Sequence, residues 1–420
     1  MTQLVLIAIA GIGSMYFTMH PRVVDAFTVA WFGAILYFLP GLVGYTLSPV
    51  TPASPFKLPV PLADEAIAVM ITVLGMLFIG AAVYDRYFST RPPAKFYLAE
   101  CSTATHVALI FATVGLGLTY VESGGAAFAA DKRVVIETVG RGHLIWQMGA
   151  SVAAVLAFVH GQKWLGASAW ALLVGDMLIG FRYAFALSLV AVLLLWAVRL
   201  GPIRLIDISK RYVFLALGAG LLIISYQNLK EPIRNGDWSE IGRRVSNPLW
   251  YGKGVLTSEP FTTQTVLNEI VRRDFRTNMD HVEAAAQHLL IFSRELGAET
   301  VRFGDLYQPA LFPRVDHGLG NNIWAQMWSA GGWPLLIVFI VLVVLAIGGA
   351  SRLLLIADPA ISAVVSLSIA YGAFYLHRNE ILVQLGYQKQ VILVWALSVV
   401  GSWAFTAAIL QLARGEQAPS

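Results

Sequence analysis

The chain has 420 residues, of which 57% are hydrophobic and only 13% charged, with a mean hydropathy of +0.67. Soluble domains carry about a quarter charged residues, so this composition excludes an ordinary soluble protein and predicts an all-α polytopic membrane protein. The net charge of +4 comes with no basic run interleaved with aromatics, so no nucleic-acid partner is expected, and the lone Cys101 excludes an intramolecular disulfide.

Apolar runs near the length of a bilayer crossing predict about eleven (10–12) transmembrane helices. They lie at 4–19, 27–47, 65–84, 103–121, 143–160, 163–180, 183–199, 211–227, 331–350, 359–376 and 391–411. No basic residue precedes the first run, so we expect a retained helix rather than a cleaved signal peptide. The proline-punctuated segment 48–64 is expected to be extended.

Lys and Arg in the short loops predict the orientation of these helices. One alternating set of loops holds most of these residues, and we expect that set to be cytoplasmic. It contains Arg22, Arg86, Arg91, Lys95, Lys163, Arg199, Arg204, Lys210, Arg211, Arg352 and Arg414. The prediction is therefore N-terminal transmembrane helices in 1–226, one large external, partly helical loop at 227–322, and C-terminal transmembrane helices in 323–420.

The long loop is rich in arginine. Guanidinium groups bind phosphate oxygens in pairs and cannot lose their proton, which suits a ligand that carries a diphosphate. Arg243 and Arg244, ahead of a turn, and Arg314, near the return to the membrane, are the candidates; solvated surface ion pairs are the alternative. Apolar residues at helical spacing predict an amphipathic helix over 262–296 that ends near Gly297.

Arg182 lies between two apolar runs that are separated by only a few residues, so we expect it at the external interface. An ionisable group there is costly and is a functional candidate by default. The alternatives are an arginine that extends to the interface or a buried pair with Asp176. Asp176 itself is interpreted as structural.

His317 and Asn321 directly precede the helix that re-enters the membrane. A histidine titrates near neutral pH, so His317 could activate a hydroxyl group; a hydrogen-bonded structural histidine is the alternative. No metal-ligand spacing, P-loop, dinucleotide-binding or serine-hydrolase motif occurs. We therefore expect no metal and no cofactor, and an enzyme of this kind must use the substrate's own activated bond.

At two places the chain resembles bacterial Wzy-type O-antigen and exopolysaccharide polymerases and their relatives, the O-antigen ligases. The family's short arginine-bearing turn ahead of the large loop resembles Gly180-Phe181-Arg182-Tyr183-Ala184. The family's helix start with histidine, asparagine and a later glycine is similar to residues 321–334. There Asn321 stands where the family has histidine, Asn322 stands at the asparagine position, and Gly332 stands at the glycine position. The nearest histidine in this sequence is His317.

This resemblance implies a metal-independent, inverting glycosyltransferase in the bacterial inner membrane with its large loop in the periplasm. Its partners would be the bilayer, an undecaprenyl-diphosphate-linked oligosaccharide and a chain-length regulator. The catalytic residues would be Arg182, Arg314 and His317, and the substrate-binding residues Arg243, Arg244, Asn321, Asn322 and Gln326. An O-antigen ligase is the alternative within the same chemistry. A lipid-linked sugar transporter or flippase is the alternative from another class, although the sequence lacks the repeats and mid-bilayer charges usual in transporters.

Overall fold

The computed structural model of the chain consists mainly of helices. It describes residues 1–51, 54–88, 101–126, 134–135, 138–211, 218, 220, 229, 232–233, 235–247, 249–250, 254, 258–289, 297, 300–315, 319–356 and 358–415. His317 and most of the predicted span 211–227 lie outside these residues, as do the predicted cytoplasmic Arg91 and Lys95.

The elements before the long loop are helices interrupted by one hairpin. They are α1 (Thr2–Met19), α2 (Ala26–Tyr37), α3 (Leu39–Val43), β1 (Tyr45–Thr51), β2 (Ser54–Pro61), α4 (Asp64–Tyr87), α5 (Ala104–Ser123), α6 (Arg141–Val159), α7 (Lys163–Ile179) and α8 (Tyr183–Arg199). Strands β1 and β2 pair antiparallel with Tyr45 opposite Pro61. The extended conformation predicted for 48–64 is therefore confirmed for its described residues up to Pro61.

The long loop contributes short helices, and long apolar helices follow it. The elements are α9 (Trp238–Val245), α10 (Glu259–Arg272), α11 (Asp280–Gln287), α12 (Phe303–Leu311), α13 (Ile323–Ile356), α14 (Pro359–Ile369) and α15 (Ile381–Gly415). A π-helical turn (Ala370–Phe374) and a 3-10 turn (Leu376–Arg378) connect the last two helices.

Six described helices are long and apolar enough to cross a membrane by length and composition. They are Thr2–Met19, Asp64–Tyr87, Ala104–Ser123, Arg141–Val159, Ile323–Ile356 and Ile381–Ala408. The chain is thus a helical protein built like a membrane protein, while the count of eleven spans stays a prediction. The span predicted at 27–47 was too long, because α2 ends at Tyr37 and Pro40 has no N–H to continue its ladder.

Contacts between loops define one end of the bundle, which we call the basic end. The backbone of Arg22 pairs with Ile203, with N–O distances of 3.1 and 3.0 Å. The guanidinium of Arg22 lies 3.1 Å from Asp85, and Arg352 donates to the carbonyl of Phe88 at 3.1 Å. These loops belong to the set predicted to be cytoplasmic, so that set shares one end of the molecule.

The opposite end, which we call the loop end, is closed by helix α10 of the long loop. Helix α4 joins the two ends, since Ala63 precedes its first turn and Asp85 lies in its last. Polar side chains of α10 are buried and bond to the ends of membrane helices: Gln264 donates to the carbonyl of Tyr37 at 3.1 Å, and Asn268 accepts from the N–H of Ala63 at 2.8 Å. Because these buried groups find partners, the helix can pack inside the bundle.

The single helix predicted over 262–296 is corrected by the structure. Helix α10 ends at Arg272, and Asp274 takes a left-handed conformation with φ of 46° before α11 begins at Asp280. Aspartate tolerates this conformation better than most residues, so it can end a helix whose apolar spacing continues. Residues 290–296 lie outside the described part of the chain.

Candidate functional site

Arg182 marks the start of α8 at the loop end. Gly180 ends α7 in a left-handed conformation with φ of 114°, and this reverses the chain within a few residues. The guanidinium of Arg182 then reaches Glu259 of α10, with Nη2 3.2 Å from Oε1. The alternative that Arg182 pairs with Asp176 is therefore wrong, and Arg182 faces the docked loop helix.

Arg378 reaches the same carboxylate from the connection between α14 and α15. Its Nε lies 3.0 Å from Oε2 of Glu259, and its guanidinium carbon lies 5.2 Å from the centre of the Tyr375 ring. The side chains of Arg182, Glu259 and Arg378 are 22%, 32% and 30% exposed. We call these three residues the Arg–Glu–Arg cluster.

The electrostatics of the cluster favour an anion. Two guanidinium groups face one carboxylate, so the three groups together carry one net positive charge. Glu259 is the first residue of α10, where the N–H groups of a helix N-terminus also favour negative charge. The site is partly open and its arginines are held by separate helices, so it can receive phosphate oxygens from a ligand.

The stretch predicted at the re-entrant helix adjoins this cluster. The N–H of Asn321 donates to the carbonyl of Arg378 at 3.1 Å, and the Asn321 side chain is partly exposed. Two of the predicted site residues, Arg182 and Asn321, are thus brought together through Glu259 and Arg378.

Asn322 and Gln326 have clear structural partners. Asn322 is buried, donates to the carbonyl of Thr263 at 3.2 Å, and accepts from the N–H of Ala325 at 3.1 Å, which caps the first turn of α13. Gln326 is buried and accepts from the N–H of Ile381 at 3.0 Å. Both amides hold helix ends together at the loop end, and their role in binding substrate stays a prediction.

The remaining predicted site residues lie on the long loop. Arg243 and Arg244 bind Glu240 on their own helix, at 2.7 and 2.6 Å, and these hydrogen bonds lower the pKa of Glu240 to about 2. Arg314 is exposed in a turn after α12. His317 lies outside the described residues, so its predicted role as a base also stays a prediction.

Tyrosine rings line the bundle next to Arg378. Tyr183 and Tyr375 stack with ring centres 6.3 Å apart and planes 9° apart, and Tyr387 lies 5.6 Å from Tyr183. Tyr371 packs on Tyr387 at 5.1 Å. Tyr371 and Tyr375 are buried, so these rings pack mainly on one another and form an aromatic layer beneath the cluster.

A buried polar chain runs from these tyrosines into the bundle. Tyr183 donates to the side chain of Gln147, Gln147 donates to Asp176 at 2.7 Å, and the Nε2 atom of His143 lies 2.7 Å from the same carboxylate. His143, Gln147 and Asp176 are buried. These contacts agree with the interpretation of Asp176 as structural.

His377 is next to Arg378 in sequence, but its environment is unsuitable for a base. Trp324 donates to its Nδ1 atom at 3.1 Å, and burial lowers the pKa of His377 to about 3. The ring is therefore neutral near pH 7 and has no tendency to take a proton from a hydroxyl group.

Glu259 and Arg378 were not singled out from the sequence. The signal for Arg378 was present, since it stands with His377, Asn379 and Glu380 in a short connection between apolar helices, as Arg182 does. Glu259 gave no local signal, because its partner Arg182 lies 77 residues earlier in the chain.

Comparisons with family models, curated proteins and solved structures find no match to this chain. Among the described residues, no group of three or more His, Cys, Asp or Glu side chains could hold a metal ion.

Proposed function

We propose that this protein polymerises undecaprenyl-diphosphate-linked oligosaccharide repeat units at the periplasmic face of the bacterial inner membrane. The observation that carries the proposal is the Arg–Glu–Arg cluster. Arg182 and Arg378 follow different apolar helices, yet they converge on one position at the end of the bundle where the long loop docks. The loop end then faces the periplasm and the basic end the cytoplasm.

The arginines supply the chemistry that such an enzyme needs. A hydroxyl group of one lipid-linked chain attacks the anomeric carbon of another and forms the new glycosidic bond. The sugar–phosphate bond breaks with inversion at that carbon, the lipid diphosphate leaves, and the proton of the hydroxyl group passes to water. Two guanidinium groups stabilise the charge that develops on the departing diphosphate, which is usually the largest catalytic contribution. The energy comes from the sugar–phosphate bond, so no nucleotide is consumed.

The apolar surface supports the placement in lipid. Helix α13 exposes large apolar side chains beyond its first turns, and a water-soluble monomer rarely exposes such a continuous patch. These side chains are Ile337, Val338, Val341, Leu342 and Leu345. A polyprenyl chain attached to the diphosphate can lie against the same kind of surface.

One observation favours a second candidate, a transporter or flippase for lipid-linked sugars. The His143–Asp176 pair is buried inside the bundle near its loop end, since His143 lies in the first turn of α6 and Asp176 in the last turn of α7. Buried ionisable groups in a membrane protein often mark transport pathways. The two candidates differ in what accumulates when the gene is deleted. Loss of a polymerase leaves single repeat units on the periplasmic leaflet, whereas loss of a flippase leaves them on the cytoplasmic leaflet.

The proposal is tested with Arg182→Lys, which keeps the charge but loses the paired hydrogen bonds. We expect the rate of polymerisation to fall about a hundredfold, since removing one well-placed donor has this effect in other enzymes. On gels, the polymer ladder of cells that carry the variant collapses toward single repeat units.

Arg199→Lys is the matched control. Arg199 ends the same helix at the basic end, where it donates to the carbonyls of Phe158 and Val159. A normal ladder is expected from this variant. A normal ladder from well-expressed Arg182→Lys would remove Arg182 from the mechanism, and a normal ladder from a deletion strain would refute the proposed function itself.

A further inference from the structure

The Arg–Glu–Arg cluster is occupied by an anion that belongs to the protein. The two carboxylate oxygens of Glu259 divide between two arginines, with Oε1 3.2 Å from Arg182 and Oε2 3.0 Å from Arg378. This is the arrangement in which adjacent phosphate oxygens bridge two guanidinium groups. A phosphate-bearing ligand and Glu259 therefore compete for the same donors.

Exchange at this position is sterically feasible. About a third of the Glu259 side chain is exposed, and the residue stands in the first turn of α10 rather than in its buried middle. Its side chain can rotate away without disturbing the buried polar groups that dock α10, such as Gln264 and Asn268. The exposed fractions of both arginines leave them accessible to a ligand from the same side.

The negative charge of a ligand determines whether it can displace Glu259 from the two arginines. Glu259 carries one negative charge and is tethered beside the arginines, which gives it a high effective concentration. A phosphodiester-linked lipid sugar also carries one negative charge, so the arginines attract it no more strongly than they attract the carboxylate of Glu259. It must therefore compete with a group that is already held beside them. A diphosphate-linked lipid sugar carries two charges, so it replaces the carboxylate with a net electrostatic gain.

We infer that Glu259 is a displaceable counter-anion that sets the affinity a ligand must reach before it can occupy Arg182 and Arg378, a level that a diphosphate lipid meets more readily than a monophosphate lipid. The inference rests on the proposed function and adds to it a residue that sets the affinity threshold of the site. The ligand removes Glu259 from Arg182 and Arg378, and every ligand bears the same displacement cost. The cost lowers both affinities by the same factor, so at one concentration the more strongly attracted diphosphate can be bound while the monophosphate is not.

The test measures the affinity of the purified protein for two synthetic short-chain probes, a polyprenyl diphosphate sugar and the matching polyprenyl monophosphate sugar. Glu259→Gln keeps the shape of the side chain but loses its charge. We expect it to bind both probes about tenfold more tightly than the wild type does, a change of about 1.4 kcal/mol. A residue needed only for structure would weaken binding when it is replaced.

The two probes also show whether Glu259 leaves. If the ligand displaces it, the cost is common to both probes and both affinities rise by the same factor. If Glu259 stays beside the ligand, its repulsion acts more strongly on the diphosphate, and that affinity rises more. Unequal factors, or no tightening at all, would overturn the inference.

Glu269→Gln is the matched control. Glu269 lies on the same helix and pairs with Arg272 and Arg273, at 3.8 and 2.9 Å. Its replacement is expected to leave both affinities unchanged. A rise equal to that of Glu259→Gln would show a general effect of removing negative charge from α10, and it would overturn the inference.

A measurement on the wild type does not depend on the variant folding. Carbodiimide coupling of a small amine to Glu259, followed by mass spectrometry, is expected to increase when the diphosphate probe binds, because the carboxylate leaves its ion pairs. Coupling at Glu269 stays constant. Protection of Glu259 by the probe would contradict displacement. Failure of the wild type to bind the diphosphate probe would instead refute the proposed function.

Discussion

Glu380 lies two residues after Arg378, yet its carboxylate is in a different environment. It is 1% exposed and accepts a hydrogen bond from the N–H of Phe303, so it ties α12 to the start of α15. Burial raises the pKa of Glu380 above its ordinary value, because an ionised carboxylate loses more solvation than a neutral one.

This shift predicts a pH dependence of stability. A carboxyl group whose pKa is raised in the folded state stabilises the fold most below its ordinary pKa, and that contribution is lost as the pH rises through the folded value. The apparent Tm of the wild type in detergent should therefore fall, relative to that of Glu380→Gln, as the pH rises above about 4. Parallel curves for the two proteins would contradict the shift.

The sequence indicates single site residues only where the local pattern is unusual. Arg182 could be predicted because a charged residue between two apolar runs has few explanations. The same pattern marks Arg378, but without structural information it could not be linked to Arg182. Glu259 could not be predicted, since a glutamate in a polar loop is ordinary and its importance comes entirely from contacts with distant parts of the chain.

At the scale of elements, helix α13 contains a break that the long loop stabilises. Gly332 has φ of 60° and ψ of −152°, a conformation that essentially only glycine adopts. The carbonyl groups of Trp328 and Ser329 lie in the turn just before this break. Arg276 donates to the carbonyl of Trp328 and Thr277 to that of Ser329, both at 3.0 Å.

Gly332→Ala is expected to destabilise the protein by about 1–3 kcal/mol, since alanine is strained in this conformation. Its added carbon would also lie 3.2 Å from Nη1 of Arg276. Gly349→Ala in the same helix is the control, because nothing lies within 4 Å of the added carbon and alanine favours a helix. Thermal unfolding in detergent should show a lower apparent Tm for Gly332→Ala alone; equal values would disprove the strain.

The ends of helices could be predicted where a single residue, such as a proline, interrupts the helix. They could not be predicted where contacts with distant parts of the chain set the boundary. The apolar spacing over 262–296 continued past Arg272, but the segment from Asp274 to Thr277 leaves the helix and bonds to α13 instead. That exchange of partners depends on the position of α13 in space. The span predicted to begin at 331 begins earlier in the structure, at Ile323, and contains the break at Gly332.

At the scale of the whole molecule, the part of the long loop that forms α10 packs into the bundle. Predicted from its polarity as an excursion from the membrane domain, the long loop places α10 among α2, α3, α4 and α13 and buries most of that helix. Composition predicted a helical membrane protein and the side on which the basic loops gather. It could not predict that a polar helix would close the opposite end, since buried polar residues look exposed in a sequence.

The buried polar chain connects this end to the interior of the bundle. The N–H of Phe181 donates to the carbonyl of Asp176 at 3.1 Å, and the Phe181 ring lies 4.3 Å from that of His143. The turn that carries Arg182 is thus fixed to the same residues that form the His143–Asp176 pair. Disturbing this pair should loosen the turn as well as the packing of α6 against α7.

A double-mutant cycle separates these effects. Asp176→Leu leaves the side chains of His143 and Gln147 without their shared acceptor in an apolar interior, so we expect a loss of about 3–5 kcal/mol. Adding His143→Leu removes one of the stranded groups, and the double variant should recover part of that stability although it departs further from the wild type. Apparent Tm values of the four proteins measure the coupling. Losses that simply add would mean that the pair contributes no coupling and does not help to hold the turn that carries Arg182.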